Sequence, residues 1–220
     1  MISNHQGIGM TSQRTRDRLI QRLQQQGIHD EQVLAAVRRI PRHLFVDEAL
    51  AQRAYEDIAL PIGYGQTISQ PYIVSRMTQL LLEDGLPKSV LEIGTGCGYQ
   101  TAVLASILPQ VYSVERIEAL YLQAKARLAE LEIYNVQLRH TDGNGGWPNS
   151  SYCFDRIIIT AASAEIPEAL IDQLSEGGVM VLPLDNGINQ ILTKIIRGRD
   201  GLIQESLETV SFVPLLSGLS

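Results

Sequence analysis

Cysteine is nearly missing: two residues in 220, Cys97 and Cys153. Two thiols build no disulfide framework, which fits a reducing compartment. Neither has a CxxC partner or a nearby set of histidines, so no metal site is expected. Long apolar runs are absent as well, since no stretch approaches the roughly 18 apolar residues of a membrane span. The opening Met1-Ile-Ser-Asn-His-Gln-Gly7 lacks the apolar core of a secretion signal. The chain is therefore expected in the cytoplasm, with no membrane partner. Positive charge is in deficit, 18 Lys and Arg against 24 Asp and Glu for a net charge of −6, which argues against binding by phosphate neutralisation and so against nucleic acid. Arg14, Arg16, Arg18 and Arg22 do cluster, and are read as the solvated face of an amphipathic helix. Nothing demands a partner chain, so a monomer is expected.

What is present describes an ordinary globular chain: 45% hydrophobic and 19% charged residues, enough for a sizeable core. The length suits one domain with an elaboration. Its organising stretch is Val90-Leu-Glu-Ile-Gly-Thr-Gly-Cys-Gly-Tyr-Gln100. A short β-branched run reads as a buried strand, glycines follow at 94, 96 and 98, and a helix-like run begins at Thr101. Strand, glycine turn and helix together present backbone N–H groups to a ligand. A dinucleotide site wants G-x-G-x-x-G, but position 99 is Tyr. G-x-G-x-G preceded by Glu92 resembles instead the first motif of S-adenosylmethionine-dependent methyltransferases. Glu115, about 20 residues past the first glycine, ends the next strand (Val111-Tyr-Ser-Val-Glu115), where an acid can hold ribose hydroxyls.

In chain order, residues 1–12 read as a loose tail, 14–26 as a helix with a narrow apolar stripe, and Gly27 as its stop. Asp30 is placed to cap a helix over 31–39, which Pro41 ends. Leu60-Pro-Ile-Gly-Tyr-Gly-Gln-Thr-Ile-Ser-Gln-Pro-Tyr72 holds too many breakers for a helix or a central strand. An amphipathic helix follows over 73–83, with Pro71 suited to its first turn. Helix 118–131, strand 135–139, an Asp142-Gly143 turn, strand 154–160, helix 165–174, a Gly177-Gly178 turn and strand 179–184 continue the alternation. Strands alternating with helices imply an α/β, doubly wound, mostly parallel sheet of Rossmann-like form. Residues 190–196 and 202–213 add a closing antiparallel pair. The division expected is a tail over 1–12, N-terminal helices and an active-site loop over 13–87, and a cofactor-binding core over 88–220, as one compact unit.

A ligand of such a sheet sits outside the carboxyl ends of the strands, which nominates Gly94 to Gly98, Glu115, Asp142-Gly143 and Thr160-Ala-Ala-Ser163. Asp142 is equally a plain turn residue or an adenine or ribose contact. Ser69 is read either as a turn or capping hydroxyl or as an anion-binding hydroxyl at a helix start. Cys97 reads as a small loop residue, since no histidine is placed to activate it.

From about residue 40 to 215 the chain resembles the bacterial protein-L-isoaspartate O-methyltransferases. The most specific element is Leu60-Pro-Ile-Gly-Tyr-Gly-Gln-Thr-Ile-Ser-Gln-Pro71, followed by Val90 to Leu104, Val111 to Ile117, Phe154 to Ala162 with Ile166-Pro167, and Phe212-Val-Pro-Leu215. The resemblance implies a seven-stranded methyltransferase fold. It also implies methyl transfer from S-adenosylmethionine to the α-carboxylate of isoaspartyl residues in proteins and peptides, with repair through a succinimide. By the same resemblance Ser69 is the active-site hydroxyl, and Thr67 and Ile68 flank the cofactor. Gly94, Thr95, Gly96, Cys97, Gly98, Glu115, Arg116, Asp142 and Gly143 bind it. Three positions depart from the family pattern: Asn144 where an aromatic residue is usual, Cys97 where Ser is common, and Ser163 where Pro is common.

Three other readings compete. A small-molecule or RNA methyltransferase is disfavoured by the loop from Pro61 to Pro71 and by the net charge. A nicotinamide dehydrogenase is disfavoured by Tyr99. A cofactor-binding protein without catalysis leaves the intact Ser69 segment unexplained.

Overall fold

The computed structural model describes residues 9–148 and 151–220. Most of the expected tail, residues 1–8, lies outside them, and Gly9–Thr11 form a single 3-10 turn. Three helices lead the chain: α1 (Gln13–Gln25), α2 (Glu31–Arg39) and, after a hairpin, α3 (Pro71–Leu82). Asp30 caps α2 as expected, its carboxylate accepting from the Gln32 and Val33 amides. Gly27 takes φ +96° just past α1, a conformation that ends a helix cheaply only at glycine. Pro71 occupies the first turn of α3, where its missing N–H has no helical partner to lose.

The glycine-rich stretch folds as two short antiparallel strands, β1 (Leu60–Gly63) and β2 (Gln66–Ile68). Gly63, Tyr64 and Gly65 at its tip all have positive φ, 89°, 54° and 69°. The breakers that hid a strand in the sequence are what make this turn tight.

The main sheet contains β3 (Val90–Ile93), β4 (Val111–Glu115), β5 (Val136–His140), β6 (Phe154–Ile159), β7 (Leu174–Asp185), β8 (Gln190–Gly198) and β9 (Gly201–Val210). Their order is β5-β4-β3-β6-β7-β8-β9. The first five pair in parallel, and β8 and β9 close the edge antiparallel. Helices α4 (Tyr99–Ala105), α5 (Glu118–Glu130) and α6 (Glu168–Asp172) make the crossovers. Strand order runs outward from β3 to β4 and β5 on one side and then restarts at β6 on the other, so the sheet has a switch point beside the glycine loop.

Period-two alternation splits the strands between two cores. Val90, Val111, Ile158, Val179 and Val181 face α1 to α4, while Leu91, Ile93, Val114, Ile157, Ile159 and Met180 face Trp147 and α6. Both faces of the central strands are buried, as their unbroken apolar runs require.

Two details differ from the sequence reading. Helix 165–174 shortens to α6, because Leu174 is drawn into strand pairing with Phe154. Strand β7 therefore starts before the Gly177-Gly178 pair and absorbs it as a register irregularity. Arg16 also leaves the solvated face assigned to it: it is buried, 5.7 Å from the Tyr55 ring centroid.

Candidate active site

Above the carboxyl ends of β3, β4 and β6 lies a cavity walled by the glycine loop, the β1–β2 hairpin and residues 213–216. Its floor is set by backbone geometry. Gly94, Gly96 and Gly98 have φ of +96°, +54° and +89°, which costs L side chains about a kcal/mol or more each. Space forbids side chains as well, since a Cβ on Gly94 would stand 2.5 Å from Thr160 Oγ1. A Cβ on Gly143 would collide with Ile93 Cγ2. Thr160 fixes the loop by donating from Oγ1 to the Ile93 and Gly94 carbonyls, at 3.0 and 2.7 Å.

Glu115 ends β4 and is buried. Its two oxygens accept from the Gly96 and Ile117 amides at 2.8 and 2.9 Å. These bonds aim the carboxylate along the cavity wall and leave lone pairs for a ligand's hydroxyls. Beneath the loop, Glu92 is fully buried and accepts from Thr101 Oγ1 and Ser113 Oγ at 2.5 and 2.6 Å. Ser113 Oγ in turn lies 2.6 Å from Thr95 Oγ1. Burial pushes the Glu92 carboxyl up to about 8, the two hydroxyl bonds only partly opposing it, so it is protonated at neutral pH.

The hairpin brings Thr67, Ile68 and Ser69 over this floor. Ile68 is buried in the core, and Ile62 reaches the glycine loop, 3.4 Å from where a Gly96 Cβ would stand. A second hollow opens on the other side of Ser69, between the start of α3 and residues 209–213. Thr67, Ser69, Thr160 and Val213 line both spaces. Ser69 thus stands on the wall shared by the two spaces. Gln70, not Ser69, is the N-cap of α3, and the Ser69 hydroxyl makes no hydrogen bond among the described residues. The capping alternative for Ser69 therefore does not apply.

Of the residues singled out by sequence, Thr67, Ile68, Ser69, Gly94, Thr95, Gly96, Cys97, Glu115, Arg116, Gly143, Thr160 and Ala161 line the cavity. Gly98, Asp142, Ala162 and Ser163 do not. Gly98 precedes α4 and packs against α5, a Cβ there meeting Ala124 Cβ at 3.3 Å. Asp142 caps the short turn Gly143–Gly145 and accepts from Asn144 N at 2.9 Å and Gly218 N at 2.6 Å. Burial opposes ionisation of Asp142, but these bonds and nearby Arg116 outweigh it and hold the carboxyl below its usual range. Cys97 is buried and its thiol is pushed up by burial, the opposite of an activated nucleophile. Its carbonyl accepts from Arg127 Nη1 at 2.7 Å.

Tyr99, Gln100, Ile117 and Leu216 also line the cavity without having been singled out. Gln100 had a local signal, its place in the first turn of the helix after the glycines; it donates to Thr78 Oγ1 at 2.9 Å and ties α4 to α3. Leu216 had none, because only the return of the chain after β9 brings it there.

Comparison with known proteins agrees with this geometry. A family model described as protein-L-isoaspartate(D-aspartate) O-methyltransferase matches residues 14–220. A protein-L-isoaspartate O-methyltransferase of Halorhodospira halophila is 56% identical over 215 residues, covering 98% of this chain and 97% of its own. One from Pseudomonas paraeruginosa is 57% identical over 209 residues, covering 95% and 99%. Among solved structures, a Plasmodium falciparum protein-L-isoaspartate O-methyltransferase in complex with S-adenosyl-L-homocysteine superposes with a TM-score of 0.80 at 25% identity, covering 90% of this chain and 97% of that one. The chain belongs to the protein-L-isoaspartate(D-aspartate) O-methyltransferase family.

Proposed function

We propose that the chain transfers the methyl group of S-adenosylmethionine to the α-carboxylate of isoaspartyl residues in proteins and peptides, the methyl ester then closing to a succinimide. The observation that carries this reading is the placement of Ser69 on the wall shared by the cavity over the glycine loop and Glu115 and a second hollow beside the start of α3. Gly94, Thr95, Gly96 and Cys97 receive the cofactor's amino-acid end, and Glu115 with Arg116 its ribose. Gly143 would border the adenine, Asp142 and Gly98 hold the surrounding backbone, and Thr67 and Ile68 would border the sulfonium end. Ser69 donates its free hydroxyl to the substrate carboxylate.

The chemistry asks little more of the protein. A carboxylate with a pKa near 4 is ionised at neutral pH, so no general base is needed. The carboxylate oxygen attacks the methyl carbon in line, the carbon–sulfur bond breaks, and its electron pair returns to sulfur as the neutral thioether. Opposite charges are consumed, so the protein accelerates the step by removing water and holding the two reactants in line, which is worth roughly several kcal/mol. The hairpin over the glycine loop does both.

We infer a division in which residues 13–87 carry the N-terminal helices and the active-site loop and residues 88–220 the cofactor-binding core, within one compact unit; Thr67 and Ile68 cross to the cofactor cavity and residues 209–213 to the second hollow. Monomeric action in the cytoplasm, without nucleic acid, agrees with the net charge of −6 and two free thiols. No helix among the described residues is long and apolar enough to cross a membrane.

The test is methyl transfer from labelled S-adenosylmethionine to paired peptides identical except for isoaspartate or aspartate. Base-labile label on the isoaspartyl peptide alone is the expected result. Label on neither peptide, with cofactor bound, would sink the repair reading.

A further inference from the structure

After β9 the chain does not leave the sheet but doubles back across the cavity mouth. The Ala162 amide donates to the Val213 carbonyl at 2.8 Å and Leu215 N donates to the Ala162 carbonyl at 2.7 Å. Val213, Pro214, Leu215 and Leu216 thereby become one wall of the cavity. Beyond that wall the segment is held at its far end almost wholly by the 116–118 and 142–144 turns. Gly218 N donates to Asp142 Oδ2 at 2.6 Å and Ser217 Oγ meets Asn144 Nδ2 at 3.3 Å. Arg116 Nε donates to the Gly218 carbonyl at 2.9 Å, and Ser220 pairs with Arg116 and Glu118 through its backbone, at 3.0 and 2.8 Å. Asn144 is central: its amide group also donates to Asp142 Oδ1 at 3.1 Å, so it grips the strap and orients the carboxylate that grips it too.

Nearer the wall, Leu215 is held by Ala162 and by packing against the second core. Residues 216–220 are exposed, and their polar contacts go to those two turns. The same two turns carry Glu115, Arg116 and Gly143, which line the cavity. A ligand seated against Glu115 and Gly143 shares the cavity with Leu215 and Leu216, so the strap's position bounds the space open to it.

We propose that Asn144 is a positioning residue for cofactor affinity, acting through the strap: with Asp142 it latches residues 217–218 and so presses Leu215 and Leu216 onto the adenosine end of the bound nucleoside. This rests on the cavity being the S-adenosylmethionine site. The latch sets retention of the cofactor and its demethylated product, not the methyl-transfer step, because Asn144, Ser217 and Gly218 line neither of the spaces that Ser69 borders.

The experiment compares the full chain with Asn144→Ala and with a variant ending at Leu216. Calorimetry gives the affinity for S-adenosylhomocysteine, steady-state kinetics give KM for each substrate and kcat, and hydrogen exchange follows residues 213–218. Asn144→Ala loses one or two hydrogen bonds of the latch, so S-adenosylhomocysteine binding should weaken about three- to tenfold. The shortened variant should weaken more. In both, kcat at saturating cofactor and KM for the peptide should stay within about twofold of wild type, since hydrogen bonds remote from the reacting atoms set binding and not chemistry. In the wild type, S-adenosylhomocysteine should slow exchange at Leu215 and Gly218. Unchanged affinity in both variants, or a fall in kcat without a change in cofactor affinity, overturns the latch. So does wild-type exchange that ignores the ligand, which decides the matter even where a variant fails to fold. Failure of the wild type to bind S-adenosylhomocysteine would instead refute the assignment of the cavity.

Discussion

Glu92 is a carboxyl group with no exposure, under the glycine loop, whose Oε1 has no hydrogen-bond partner among the described residues. Its pKa moves from 4.5 to about 8, with burial the largest cause. Below pH 4.5 folded and unfolded chains both carry the proton, and the group's stabilising effect is complete. Between 4.5 and about 8 only the folded chain carries it, so stability falls as pH rises, by about 1.4 kcal/mol per pH unit. Above about 8 the loss is complete, on the order of 5 kcal/mol as an upper bound. Glu92→Gln keeps an uncharged acceptor for Thr101 and Ser113 at every pH and removes this dependence. Urea denaturation of both proteins from pH 4.5 to 9 isolates the effect, because titrating groups that do not interact with Glu92 cancel in the difference and only Glu115 is coupled to it. The variant should gain on the wild type through neutral pH and level off above about 8. Parallel curves would show that Glu92 ionises normally in the folded protein and refute the reasoning.

Three further outcomes follow. Ser69→Ala should lower kcat on isoaspartyl peptide about ten- to a hundredfold, as expected for removing a hydrogen bond to a charged group, with S-adenosylhomocysteine affinity unchanged by calorimetry. Gly143→Ala should destabilise the protein by about 1–3 kcal/mol in urea, because its Cβ meets Ile93 in a packed core. Arg42 is fully buried, donating to the Ala54 carbonyl at 2.8 Å with its guanidinium carbon 5.0 Å from the Tyr99 ring centroid. Arg42→Ala strands that acceptor and opens a void, so it should cost about 3 kcal/mol or more. Arg42→Met fills the void and should cost less.

The parts of the fold legible in the sequence were those governed by local rules. Strand β4 and helix α2 occupy the expected residues because capping and periodicity are short-range signals, Asp30 being the clearest. The start of β7 was hidden, since pairing of Leu174 with Phe154 overrides the helical pattern before it. Arg16 was misplaced for a related reason: a charged side chain on a helix reads as solvated until an aromatic such as Tyr55 packs over it. In the site, glycines and the strand-end Glu115 were visible because backbone geometry restricts residue type. The wall from Val213 to Leu216 was not, because its place depends on a long-range return over the sheet.

The most direct measurement of the central claim is a structure of the chain with S-adenosylhomocysteine and an isoaspartyl peptide. The cofactor analogue should lie between the glycine loop and residues 213–216, and the peptide in the hollow between the start of α3 and residues 209–213. The isoaspartyl α-carboxylate should lie within hydrogen-bond distance of Ser69 Oγ and face the sulfur. A peptide bound away from the hairpin, or a carboxylate that does not meet Ser69, would contradict it.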